Sequence, residues 1–156
     1  MNKFLNFSLS AFFALFSFPL HADDLFIQVE RLEQCIQFSS NKYECIGITV
    51  GACSDLPSGG SIEGMTSCVA QERQFWLDLT DDTLARLMKM TETGEGVGSL
   101  ADGLNAMQMG WVEFRNALRE NKITAEPDGK LREANCLMRQ DGEQALYLLG
   151  LEDEHF

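Results

Sequence analysis

Histidine is almost missing from this chain: two in 156 residues, His21 and His155. Without it, a serine or cysteine triad has no usual base and a zinc site has no imidazole. No C-x-x-C occurs among the 5 cysteines, which argues against a thioredoxin-type redox centre and against a zinc ribbon. The glycines between Thr93 and Gly98 are not followed by Lys-Ser or Lys-Thr, so they form no phosphate loop. Asp78, Asp81 and Asp82 lack the alternating spacing of a calcium loop. Paired-carboxylate chemistry needs a marked pair, and nothing singles one out among 24 acidic residues. The expectation is a non-enzyme with no metal and no cofactor.

Basic residues are scarce too. Lys and Arg total 12 against 24 Asp and Glu, a formal net charge of −12. Such a balance disfavours a nucleic-acid backbone or an anionic membrane as partner and would steer a basic protein toward the chain. Long apolar runs are absent except at the N-terminus. There Lys3 precedes an apolar stretch from Phe4 to Phe18, and Pro19-Leu20-His21-Ala22 ends it before Asp23-Asp24. This charged, apolar, small-residue order predicts a signal peptide over 1–22, cut after Ala22. The run is short for a bilayer span, and no cysteine follows the cut to carry a lipid, so no membrane anchor is expected. The product is an exported protein, periplasmic or secreted, formed by a single domain over 23–156. Loss of Lys3 with the leader takes its charge from −12 to −13.

Strand-type alternation is absent as well, whereas helical spacing recurs. Leu25, Val29, Leu32, Cys35 and Ile36 form a first stripe, with Asp23 and Asp24 as N-cap candidates. A short helix is expected over Lys42–Ala52, weakened by Gly47 and Gly51, before Pro57, Gly59 and Gly60 break the chain. The longest candidate runs from Ile62 to Met90, with Cys68, Phe75, Trp76 and Leu79 on its apolar side. After the glycine linker, Ser99 can cap a helix whose Leu104, Met107, Trp111, Phe114 and Leu118 form a core stripe. A polar loop from Asn121 to Gly129 leads to a last helix beginning near Lys130. The fold class is therefore all-α: a small, disulfide-stapled, mostly antiparallel helical bundle.

Cysteine, by contrast, is plentiful for this length: Cys35, Cys45, Cys53, Cys68 and Cys136 all follow the predicted cut. In an oxidising compartment they read as disulfides with one thiol left over. Several pairings are possible, and spacing alone does not choose among them.

The motifs combine into a recognisable series. Cys45-Ile46-Gly47, Ala52-Cys53, Gly59-Gly60-Ser61, Gly64-Met65-x-x-Cys68 and Glu72-x-x-x-Trp76 come first. Leu104-x-x-Met107-Gln108-x-x-Trp111-x-x-Phe114-Arg115-Asn116-Ala117 and Cys136-Leu137-Met138 follow. In order and spacing the series resembles the LprI-type lysozyme-inhibitor domain of exported bacterial proteins, from about Cys35 to Leu146. The chain departs from that pattern at Asn116, where the family has Asp, and at Thr80, Asp81 and Leu84 after the first Trp. It also carries Arg119 where the family has a cysteine.

The resemblance implies bridges Cys35–Cys45 and Cys53–Cys68, and leaves Cys136 as the odd thiol, read here as buried beside Leu137 and Met138. Glu72, Trp76, Gln108, Trp111, Phe114 and Arg115 become a structural motif, with Glu72 and Arg115 expected to form an interhelical ion pair. The rival role for Gln108 and Arg115 is a ligand-contacting face. Partner contacts are expected around the Gly-Gly turn at Ser58, Ser61 and Glu63, and at Asp81 and Asp82. The implied function is an acidic binding protein that meets a basic protein such as a lysozyme without catalysis. The alternative is a cell-envelope adaptor or stress-related helical module that inhibits no lysozyme.

Overall fold

Helical periodicity over most of the chain becomes five α-helices and one 3-10 turn in the computed structural model, which describes residues 22–57, 59–93, 98–120 and 128–155. The helices are α1 (Ala22–Phe38), α2 (Ile48–Ser54), α3 (Ile62–Thr93), α4 (Gly98–Glu120) and α5 (Gly129–His155), with the 3-10 turn at Lys42–Cys45. No strand occurs among the described residues. Residues 1–21, Ser58, residues 94–97, residues 121–127 and Phe156 lie outside them, and with them the predicted signal peptide and the expected contact at Ser58.

The single helix expected over Lys42–Ala52 is two pieces. Gly47 sits between them with φ 93°, a left-handed conformation that costs glycine little and side-chain-bearing residues much. Helix α1 begins at Ala22 and α4 at Gly98, so Asp23, Asp24 and Ser99 lie inside these helices rather than before them. Gly59 is placed by close approach rather than by an unusual φ. A Cβ there would collide with the backbone of Cys53 and Ser54, so the turn between α2 and α3 needs its bare backbone.

Two disulfides staple the N-terminal elements. Cys35–Cys45 joins α1 to the 3-10 turn, and Cys53–Cys68 joins α2 to α3, with Cα separations of 5.7 and 5.8 Å. These are the pairings expected above.

The long helices set the architecture. Arg73 and Arg86 on α3 pair with Asp141 and Glu152 on α5, so these two helices run side by side in the same direction. Helix α4 returns antiparallel to both, its Leu104 beside Leu148 and its Arg115 beside Asp141. The main core gathers Leu32, Cys45, Val69, Trp76, Met138, Ala145 and Leu146, drawn from α1, the 3-10 turn, α3 and α5. A smaller one, Leu87, Leu104 and Leu148, holds α4 near the end that follows the linker.

The buried stripe of α3 is Val69, Glu72, Trp76, Thr80, Thr83 and Leu87, at spacings of three and four residues. Half of it is polar. Thr80 satisfies its hydroxyl by donating to the Trp76 carbonyl at 2.9 Å, and the Thr83 hydroxyl accepts from Arg86 at 3.0 Å. Glu72 accepts from the Trp76 indole one turn further along, and its other hydrogen bonds lie across the helix interface.

Candidate functional site

Two buried carboxylates organise the middle of the bundle. Glu72 is 3% exposed, and its carboxylate serves as a hydrogen-bond acceptor throughout. Its carboxylate accepts from the backbone N–H groups of Gly47, Thr49 and Val50, from the Thr49 hydroxyl, and from the Trp76 indole N–H at 3.1 Å. Those backbone groups are the unpaired donors at the start of α2, where the helix dipole also favours a negative charge. Glu72 is thus a cap supplied from another helix. The left-handed Gly47 turns its own N–H toward it.

The expected ion pair between Glu72 and Arg115 does not form. Arg115 donates instead to Asp141 at 3.2 Å, and Arg73 donates to the other oxygen of Asp141 at 2.6 Å. The physical reason is rotational. Glu72 and Arg73 are neighbours on α3, about 100° apart around its axis, so they address different partners. Glu72 faces α2, and Arg73 faces the space between α5 and α4.

Asp141 is fully buried at its side chain, whereas Arg73 and Arg115 keep 18% and 25% of theirs exposed. Neither Asp141 nor Arg73 is among the site residues expected from the sequence. A signal existed: Asp141 stands four residues after Leu137 and four before Ala145, a charge in the middle of an apolar stripe. A carboxylate in that place must be paired to remain charged out of water.

The two arginines open onto a cleft of about 470 Å³ between α4 and the α3–α5 pair. Its walls include Arg73, Leu77, Thr80 and Asp81 from α3, Gln108, Trp111, Arg115 and Arg119 from α4, and Asp141 from α5. Gln108 and Arg115 do share this face. The Gln108 Oε1 atom is buried and has no hydrogen-bond partner. Trp111 lies half-buried beside Phe114, with ring centroids 5.7 Å apart.

Phe114 corrects the core stripe predicted for α4. It is 45% exposed, and Met109 on the same helix reaches 65%. At Met109, Val112 and Phe114 no described element covers α4. Cys136 is also a correction, since it is an exposed free thiol. Leu137 and Met138 beside it are buried, and a step of one residue around α5 carries Cys136 to the outside.

The residues expected to touch a partner do not form one patch. Ser61 and Glu63 are exposed at the start of α3, whereas Asp81 and Asp82 are exposed 18 and more residues further along the same helix. At 1.5 Å per residue that separates the groups by roughly 27 Å. Asp81 lines the cleft, and Asp82 lies one turn before Arg86.

A second ion pair ties α3 to α5: Arg86 holds both oxygens of Glu152, at 2.6 and 2.9 Å. Hydrogen bonding to Arg86 keeps the Glu152 carboxyl below its ordinary pKa, against the opposing pull of burial. Among the described residues no group of three or more His, Cys, Asp or Glu is placed to hold a metal ion. No described helix is long and apolar enough to cross a membrane.

Comparison of the chain with family models, with curated proteins and with solved structures finds no match.

Proposed function

We propose that this chain is an exported acidic binding protein that acts on a basic protein by contact alone, a lysozyme being the partner class its motif series implies. One observation carries the reading: a charge of −12 is mounted on a helical bundle stapled by two disulfides. Disulfides of this kind persist in oxidising compartments, which fits the signal-like N-terminus. Lysozymes are basic proteins, and a strongly acidic partner accelerates encounter with them through long-range attraction. Contact of that type needs no nucleophile or general base, in keeping with the scarcity of histidine.

The test is a bacterial-lysis assay with purified, disulfide-bonded protein against lysozymes of several classes. The proposal expects inhibition of at least one class at micromolar concentration, weakening as salt screens the attraction. No inhibition of any class at micromolar excess contradicts it.

A second reading, an envelope adaptor without lysozyme inhibition, draws support from the exposed side chains of Met109, Val112 and Phe114 on α4. Adaptors present apolar helix faces to their partners. In that case M109S/F114S abolishes capture of an envelope partner, while every lysozyme retains full activity.

A further inference from the structure

The cleft beside α4 is charged in the opposite sense to the chain around it. Arg73, Arg115 and Arg119 line it, against Asp81 and Asp141, in a protein of net charge −12. Asp141 occupies only the Nε of Arg73 and one Nη of Arg115. Both Nη groups of Arg73 and the remaining N–H groups of Arg115 have no partner among the described residues. Arg119 has neither an ion pair nor a hydrogen bond there.

Asp141 holds its two guanidinium groups in place and leaves further N–H donors at the cleft. Planar forks of this kind match carboxylate oxygens two at a time. The buried Oε1 of Gln108 lacks a donor, and an unpaired buried acceptor is costly unless something fills it. Trp111 and Leu77 add apolar surface. The volume, about 470 Å³, falls in the range of small-molecule sites, roughly 300–1,000 Å³.

We infer that this cleft binds a small carboxylate that also carries an N–H or O–H donor, the chemistry of an N-acyl amino acid or a short peptide terminus. The carboxylate sits on the free N–H groups of Arg73, Arg115 and Arg119. The donor meets Gln108 Oε1, and the apolar body lies on Trp111 and Leu77. Asp81 on the wall opposes a doubly charged anion, so a monoanion is favoured over phosphate. This site is independent of the lysozyme reading, which uses the acidic exterior.

Fluorescence titration and calorimetry on the purified disulfide-bonded protein test it. The probes are the N-acetyl derivatives of alanine, leucine and phenylalanine, the corresponding amides, and inorganic phosphate. Trp76 is fully buried, so a change in emission reports Trp111. At least one acid should bind saturably, with its amide weaker by about tenfold or more. Arg119→Ala should weaken the acid about tenfold and leave the melting temperature unchanged, because Arg119 is exposed and unpartnered. Gln108→Leu should weaken N-acetyl-leucine more than 4-methylpentanoate, which has no N–H. Equal affinity for acid and amide, binding of neither, tighter binding of phosphate, or full affinity in Arg119→Ala would each overturn the assignment.

Discussion

The two sides of α3 are held in different ways. On one side, α1, the 3-10 turn and α2 are fastened by two disulfides and by the Glu72 cap, around a Trp76 with no exposed surface. On the other, α4 contributes one fully buried apolar side chain among the described residues, Leu104, and reaches Asp141 at the centre through Arg115. The staples join residues 10 and 15 apart in sequence, whereas Asp141 joins residues 68 and 26 away. Nearby elements are locked by covalent bonds and backbone capping. Helix α4 has only a small apolar contact and an arginine paired with Asp141, and an open, polar cleft lies where a packed core could have been.

The contrast can be broken from the charged side first. Asp141→Ala leaves two partly buried guanidinium groups without their counter-charge, and should cost about 3–5 kcal/mol in urea unfolding. Its effect should fall on α4, with the Trp111 environment lost before that of Trp76. Next comes the stapled side. Cys53→Ser with Cys68→Ser opens a loop of 15 residues and should cost about 3 kcal/mol by the chain-entropy argument. Glu72→Gln keeps the shape but replaces a carboxylate that accepts five hydrogen bonds with an amide that accepts fewer. About 2 kcal/mol is expected, with loss of α2 helicity.

Which of these features could be read beforehand follows from their range. Apolar stripes depend on spacing within one segment, so Leu104, Met107 and Trp111 were legible as one face of α4. That Phe114 continues the stripe yet stays exposed depends on how far α4 leans from its neighbours, which no local pattern encodes. Glu72 was legible as a structural carboxylate one turn before Trp76, but its partner was not. Backbone donors at the start of α2 leave no mark in residue identity, so an arginine was the natural guess. Asp141 interrupts an apolar stripe and could have been flagged, although its two partners depend on the rotation of three helices. Cys136 was misread because its sequence neighbours are buried, while side chains adjacent in a helix point about 100° apart.

The smaller effects sharpen the comparison. Arg86 and Glu152 join α3 to α5 at the surface, with side-chain exposures of 48% and 19%. Glu152 titrates below its ordinary value of 4.5, chiefly through its hydrogen bond to Arg86. Its contribution is therefore complete above that value and is lost as pH falls through the lower folded value. Glu152→Gln should destabilise by under about 1 kcal/mol at neutral pH, and the gap from the parent should close in acid. Phe114→Ser should change stability least, within about 0.5 kcal/mol, because the ring is half in solvent.

Native-state hydrogen exchange tests the division most directly. If the stapled side is the rigid scaffold and α4 is held chiefly by charge, amides of α3 from 68 to 80 should exchange only through global unfolding. Those of α4 from 109 to 120 should exchange through a smaller opening, at lower free energy, and Asp141→Asn should lower that energy further. Equal protection of the two segments, or an α4 opening that Asp141→Asn leaves unchanged, would contradict the account.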